Sequence, residues 1–86
     1  MYSVYIIYSA TLDKFYIGFT GNLPDRITKH NNISKGFTSK GKPWILRYAE
    51  SFTDKHDAMR REKQLKAWKN RQRIEQLIDK GSEHPD

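Results

Sequence analysis

Two short runs of β-branched and aromatic residues open the chain, and they constrain its fold more than any other feature. The runs are residues 2–8 (YSVYIIY) and 15–20 (FYIGFT), and their composition is typical of β-strands joined by a hairpin loop. Because successive strand residues face opposite sides of a sheet, pairing the apolar faces places Tyr5 and Tyr16 together on the other face. We expect Tyr5 opposite Tyr16 or two residues away on the diagonal, with Gly18 close by.

Helix signals follow, and then a third strand. Asn22 can cap a first helix, and Pro24 suits its first turn, where a missing amide hydrogen costs nothing. We expect this helix to end near residues 31–32, before a basic loop over residues 33–43. The alternating run at residues 44–52 (WILRYAESF) predicts the third strand.

The last third of the chain predicts two helices. Thr53 or Asp54 can cap a helix that runs to about Trp68. Asn70 can cap another helix, which Gly81 is expected to end. The resulting order, ββαβαα, predicts an α+β fold.

The length of the chain and its lack of cysteine limit what it can be. Its 86 residues allow one domain with a thin core, expected over residues 1–81 with a frayed tail at 82–86. The absence of cysteine excludes disulfides, thiolate zinc sites and cysteine nucleophiles. No apolar run is long enough to cross a bilayer and the amino terminus lacks a basic leader, so the simplest expectation is a cytoplasmic protein.

The positive charge of the chain is concentrated at residues 55–73. The chain has 16 Lys and Arg against 10 Asp and Glu, and this segment alone holds eight basic and two acidic residues. Its charge of +6 equals that of the whole chain, so the remainder is neutral. A focused basic surface is expected of a protein that binds phosphates, and a merely solvated basic helix is the alternative.

Several polar residues stand out against the predicted elements. Glu62 falls on the inner face of the basic helix, while Arg26 and His30, four residues apart, lie one above the other on the first helix. Each has a simpler explanation. The two tyrosines can serve amphipathic packing, Arg26 and His30 can be solvent-exposed polar residues, and Glu62 can form a salt bridge to Arg26 or Lys66.

These residues together resemble the GIY-YIG nuclease family. The two halves of the family's name correspond to residues 3–5 (SVY) and 16–18 (YIG), with ten residues between the tyrosines. Arg26 follows the second tyrosine by ten residues and His30 follows Arg26 by four, as in the family's helix. Glu62 matches the glutamate that the family places on its following helix to hold a divalent metal.

The resemblance covers roughly residues 2–80, and the segment 60–64 (RREKQ) is similar to small stand-alone bacterial members. Ser3 and Val4 replace the Gly-Ile of the name, a change that preserves the strand chemistry. The fold that the resemblance implies is a three-stranded antiparallel sheet flanked by helices.

The activity that the resemblance implies is metal-dependent endonucleolytic cleavage of phosphodiester bonds in DNA. Tyr5 would act as general base toward the attacking water, Tyr16 would hold that water or a phosphate oxygen, and Arg26 would brace the phosphate. Free tyrosine has a pKa of about 10, so this role for Tyr5 requires nearby cations that favour phenolate. His30 would accept a proton from Tyr5 or contact the phosphate, and Glu62 would be the protein ligand of Mg²⁺ or Mn²⁺.

The expected partner is nucleic acid, DNA rather than RNA, with no membrane and with the oligomeric state left open. The residues predicted to contact phosphates are Lys35, Lys40, Lys42, Arg60, Arg61, Lys63, Lys66 and Lys69. A non-catalytic nucleic-acid-binding module and an interaction domain of a DNA repair assembly are the alternatives. A pure binder would have no use for Glu62, because its carboxylate repels phosphate unless a metal lies between them.

Overall fold

The structure, a computed structural model, describes residues 1–32 and 37–82. The elements in chain order are β1 (Tyr2–Ser9), β2 (Lys14–Thr20), α1 (Leu23–Asn32), a 3₁₀ helix (Phe37–Gly41), β3 (Trp44–Phe52), α2 (Lys55–Trp68) and α3 (Arg71–Ser82). The predicted α+β class and the order ββαβαα are confirmed. Most of the tail for which fraying was expected lies outside the described residues.

The three strands form one antiparallel sheet in the order β2-β1-β3, so β2 and β3 are its edges. Tyr5 of β1 lies opposite Gly18 of β2, and Ile7 lies opposite Tyr16. The two tyrosines are therefore diagonal neighbours, and one of the two predicted registers is confirmed.

The helices α2 and α3 cover the face of the sheet that carries Val4 and Ile6. Val4 packs with Ala58 and Leu65 of α2 in a fully buried cluster. Ile6 packs with two buried isoleucines of α3. This face holds the larger part of the hydrophobic core, which fixes α2 against the sheet.

The opposite face of the sheet is covered by α1. Here Tyr5, Ile7 and Trp44 are buried, and partly buried Leu23 and Ile27 of α1 pack against them. The sheet thus lies between α1 on one side and the pair α2 and α3 on the other.

The predicted caps explain where the helices begin. The side-chain oxygen of Asn22 accepts a hydrogen bond from the backbone N–H of Asp25 at 3.1 Å, and that of Asp54 accepts from His56 N–H at 2.8 Å. Asn70 in turn accepts from Gln72 N–H at 2.9 Å. Each capping side chain satisfies an amide that has no partner within its helix.

The prediction that Gly81 ends the last helix is wrong, because α3 continues through it to Ser82. A side chain at this position would place its Cβ 2.7 Å from the ring of Tyr48. Glycine therefore gives α3 room to approach β3, and helix termination is not its role. No helix within the described part of the chain is long and apolar enough to cross a membrane.

Candidate active site

A cleft of about 440 Å³ lies along β2, at the edge of the sheet where α1 and α2 approach from opposite faces. Four of the five side chains predicted to be catalytic line it, namely Tyr5, Tyr16, Arg26 and Glu62. The fifth, His30, is buried behind Tyr5. Because α1 and α2 lie on opposite faces of the sheet, Arg26 and Glu62 reach a common cleft at this edge.

The ring of Tyr5 is almost fully buried, with 1% of its surface exposed. It lies across Gly18 of the neighbouring strand, where a Cβ atom would come 2.5 Å from the Tyr5 hydroxyl oxygen. Glycine is thus required beside the tyrosine ring. The Tyr5 Oη atom lies 2.9 Å from Nε2 of His30, a distance typical of a hydrogen bond.

Burial and the nearby Arg26 guanidinium both lower the pKa of His30 from its usual 6.5, so its imidazole is neutral at neutral pH. A neutral imidazole has one N–H donor and one acceptor nitrogen. When Nδ1 carries the hydrogen, Nε2 is free to accept the proton of the Tyr5 hydroxyl. Nδ1 is itself buried and has no hydrogen-bond partner among the described residues.

The electrostatic surroundings of Tyr5 differ from those expected. Burial is the largest influence and raises the pKa of Tyr5 to about 12, and Tyr16 and Glu62 act in the same direction. Arg26 is a nearby cation that lowers the pKa of Tyr5, but burial outweighs this effect. In the protein alone Tyr5 is therefore a neutral phenol, and the expectation that a metal at Glu62 adds to the effect of Arg26 stays a prediction.

Tyr16 is partly buried in a small group of aromatic side chains. Its ring centroid lies 5.0 Å from that of His30 and 6.2 Å from that of Trp44, both in edge-to-face geometry. The ammonium of Lys66 lies 6.0 Å from the Tyr16 ring centroid, on the side of α2. Tyr16 thus lies between the buried His30 and the ammonium of Lys66.

Glu62 has a partly buried side chain, 18% exposed, and its Oε2 atom lies 3.4 Å from the ammonium of half-exposed Lys66. The salt bridge to Lys66 is one of the simpler explanations considered above. Glu62 also lines the cleft, so the carboxylate that pairs with Lys66 is the same one that can hold a ligand in the cleft.

The residues present fit a hard divalent cation held by one carboxylate. Within residues 1–32 and 37–82, no group of three or more His, Asp or Glu side chains could hold a metal alone. The oxygen of Glu62 is a donor that Mg²⁺ and Mn²⁺ accept, and the cleft has room for waters and phosphate oxygens as further ligands.

Lys55 is a cleft residue that the sequence analysis did not include in the site. It lies in the first turn of α2, seven residues before Glu62, so two helical turns bring both side chains to the same face. That spacing from the predicted metal ligand is the signal that could have identified it. Its ammonium adds positive charge to a cleft that already contains Arg26.

Of the eight residues predicted to contact phosphates, six have exposed side chains, one lies outside the described residues, and Arg61 is bound within the protein. The six residues with exposed side chains are Lys40, Lys42, Arg60, Lys63, Lys66 and Lys69. Arg60 also forms a salt bridge with Asp57. Lys35 lies outside the described residues.

Arg61 is engaged inside the protein. Its Nε and Nη2 atoms donate to the two carboxylate oxygens of Glu50 on β3 at 3.0 Å each, and Nη1 donates to Gln64 at 2.8 Å. A guanidinium committed to three such bonds contributes little to phosphate binding. We therefore correct its assignment: Arg61 fastens α2 to β3.

Comparisons with known proteins relate the chain to one family. Residues 1–75 match the family model of the GIY-YIG catalytic domain. A UPF0213 protein from Limosilactobacillus reuteri is 35% identical over 83 residues, covering 93% of this chain and 85% of that protein. A UPF0213 protein from Staphylococcus haemolyticus is 34% identical over 70 residues, covering 79% and 84%.

A solved structure is similar as well. The solution NMR structure of a UPF0213 protein from Bacillus halodurans superposes with a TM-score of 0.59 at 28% identity, covering 96% of this chain and 89% of that one. Its likeness extends over the sheet and the helices that form the cleft. The family model covers most of the chain, and the chain therefore belongs to the GIY-YIG family, a family of nucleases.

Proposed function

We propose that this protein is a metal-dependent endonuclease that hydrolyses phosphodiester bonds in DNA. The observation that carries the proposal is the convergence of Tyr5, Tyr16, Arg26 and Glu62 on one cleft at the edge of the sheet. Two cationic side chains, and a carboxylate that can hold a metal, can offset the charge at a phosphate, and the two phenols can bind or deprotonate an attacking water. Membership in a nuclease family supports the same conclusion.

Glu62 would hold the divalent cation, Mg²⁺ or Mn²⁺. The chemistry that such a cation supplies is neutralisation of charge on the phosphate and on the leaving oxygen. Arg26 would place its planar fork on two oxygens of the scissile phosphate, a geometry that lysine lacks. Lys55 would hold a neighbouring part of the same strand, because it lines the cleft two turns from Glu62.

The hydrogen bond between Tyr5 and His30 supports a concerted proton transfer. In the protein alone burial raises the pKa of Tyr5 to about 12, so its hydroxyl would enter the step protonated. Instead its hydroxyl would give its proton to Nε2 of His30, 2.9 Å away, while it takes a proton from the attacking water. The water oxygen then forms its bond to phosphorus as the bond to the leaving oxygen breaks, and the leaving oxygen is protonated from solvent. His30 ends the step as an imidazolium and loses its proton afterwards.

A non-catalytic nucleic-acid-binding module is the second candidate, and the salt bridge between Glu62 and Lys66 is the observation that favours it. In such a module Glu62 would only pair with Lys66 and would take no part in binding phosphate. This candidate predicts that Glu62→Gln does not weaken nucleic-acid binding. It also predicts that the protein cleaves no substrate with either Mg²⁺ or Mn²⁺.

The test is cleavage of labelled duplex, single-stranded and branched DNA, and of RNA, with Mg²⁺ or Mn²⁺ and with an EDTA control. Tyr5→Phe and Glu62→Gln should each lower the rate by about 100-fold or more, the range lost with a general base or an electrostatic stabiliser. Tyr8→Phe and Glu75→Gln are matched controls, since they remove the same groups outside the cleft. Cleavage by Glu62→Gln at the wild-type rate would refute the proposal.

The exposed cations should make binding depend on salt. If about six of them contact phosphates, log Kd should rise by about five for a tenfold increase in salt concentration. Fluorescence anisotropy with an uncleaved oligonucleotide measures this slope, and a nearly flat dependence would contradict the predicted contacts.

A further inference from the structure

The salt bridge between Glu62 and Lys66 puts a cation where the metal is expected. Nζ of Lys66 lies 3.4 Å from Oε2 of Glu62, with the carboxylate 18% exposed and the lysine side chain 52% exposed. The lysine can therefore leave toward solvent, whereas the carboxylate is held in the cleft wall. No other cation is placed within salt-bridge distance of Glu62 in the described parts of the chain.

The position of Lys66 on α2 explains where its ammonium would move. The residue lines a second groove, of about 280 Å³, which also includes Ile17 of β2, the neighbour of the cleft residues Tyr16 and Gly18. Lys14 and Lys69 stand on the rim of this groove, and Ile17 and Leu65 form part of its floor. Lys66 thus pairs with a carboxylate of the cleft and also lines the groove, so rotation of its exposed side chain would carry its charge toward the groove.

We propose that Lys66 is a built-in counter-ion of Glu62 that a divalent metal displaces, and that the released ammonium then binds a phosphate of the nucleic acid in the neighbouring groove. This inference rests on the proposed metal site at Glu62. Two cations compete for one carboxylate, so the lysine weakens metal binding in the free protein. Metal binding in turn makes one more cation available to the strand, which couples the binding of metal to that of nucleic acid.

The first experiment measures Mn²⁺ binding to the full chain without nucleic acid, by electron paramagnetic resonance at 0.15 M salt. Lys66→Met should tighten binding by about two- to five-fold, the range expected when a partly exposed ion pair no longer has to be broken. Lys66→Arg keeps a competing cation and should bind as the wild type does. Lys63→Met removes the same charge from another face of α2, beside His56 and Arg60, and should change the Kd by less than about 1.5-fold because salt screens it.

The outcomes separate this inference from the proposed function. If the wild type binds Mn²⁺ and Lys66→Met leaves the Kd unchanged or weakens it, Lys66 is not a competitor and the inference is wrong while the metal site stands. If Glu62→Gln binds Mn²⁺ as tightly as the wild type, the metal site itself is refuted and the inference with it. Circular dichroism melting confirms that each variant is folded.

A second experiment tests the destination of the ammonium. In a Tyr5→Phe background, which should prevent cleavage, Mg²⁺ should increase the affinity for a short DNA duplex, and adding Lys66→Met should reduce that increase by about two- to five-fold. An equal gain in both backgrounds would show that Lys66 does not reach the strand after release.

Discussion

Replacing Gly18 by alanine is the sharpest test of how the cleft is built. A Cβ atom at this position would lie 2.5 Å from the hydroxyl oxygen of Tyr5 and 2.7 Å from its Cζ atom. Neither distance is tolerated between non-bonded heavy atoms, so the tyrosine ring or the strand must move. The ring is 1% exposed and is packed against Ile7 and Trp44, and so it cannot relax cheaply.

The magnitude follows from two contributions. Forcing an extra methyl group into a packed core costs about 1–3 kcal/mol. Displacing the ring also breaks the hydrogen bond between Tyr5 and His30, which contributes about 1 kcal/mol. Together these predict a loss of about 2–4 kcal/mol in the free energy of unfolding, equivalent for a domain of this size to a Tm lower by about 10–25 °C.

Thermal unfolding followed by circular dichroism measures the effect, and Gly21→Ala is the matched control. A Cβ at Gly21 would lie 3.6 Å from the ring of Tyr2, an ordinary contact, so this variant should melt within a few degrees of the wild type. In a Tyr5→Phe background the nearest clashing atom is gone, and Gly18→Ala should cost less. A Gly18→Ala protein that melts like the Gly21→Ala protein would refute the packing argument.

Three further predictions concern charged groups. Arg61→Met leaves the partly buried carboxylate of Glu50 without its bidentate partner and should lower the free energy of unfolding by about 1–3 kcal/mol in urea denaturation. Burial raises the pKa of Glu50, but hydrogen bonds from Arg61 and Tyr48 hold it below 4.5, so this stabilisation should be lost as the pH falls through that lowered value. Hydrogen bonds from Arg71 and Tyr8 lower the pKa of Asp13 to about 2, and ¹³C NMR should find it raised toward 3.8 in Arg71→Met, in which the hydrogen bond from Tyr8 remains. The lowered pKa of His30 makes its stabilisation complete above pH 6.5 and lost as the pH falls below it, so His30→Gln should flatten the dependence of stability on pH in that range.

The local geometry of the site could be predicted from the sequence, because the alternation of side chains along a strand and the capping of a helix depend on residues close in sequence. Strand parity placed Tyr5 and Tyr16 on one face, and the structure confirms the diagonal register. The cap residues Asn22 and Asn70 likewise begin the helices that were expected after them. In each case the interactions that decide the outcome join residues close in sequence or within one hairpin.

What could not be predicted depends on contacts between distant elements. Arg61 was counted as a free cation because its partner, Glu50, lies on a strand whose position beside α2 is fixed only by the core. The pKa of Tyr5 has the same origin, since its burial requires α1 to close over the sheet. Gly81 was misread because the reason for glycine there is the ring of Tyr48, more than thirty residues earlier. Composition and spacing carry no information about such pairs.

The two halves of the family motif form one structural unit, and the hairpin explains why. Ser9 pairs with Lys14, so residues 10–13 make the turn, and this closure places Tyr5 opposite Gly18. The glycine of the second half therefore accommodates the tyrosine of the first, and Tyr16 follows on the diagonal. Because side chains alternate along a strand, a single inserted residue within β2 before Tyr16 would turn Tyr16 toward α2 and α3 and bring Ile17 to the cleft. A residue inserted in the turn could leave the strand pairing unchanged, so it is the register of β2 against β1, and not the total spacing, that keeps Tyr16 facing the cleft.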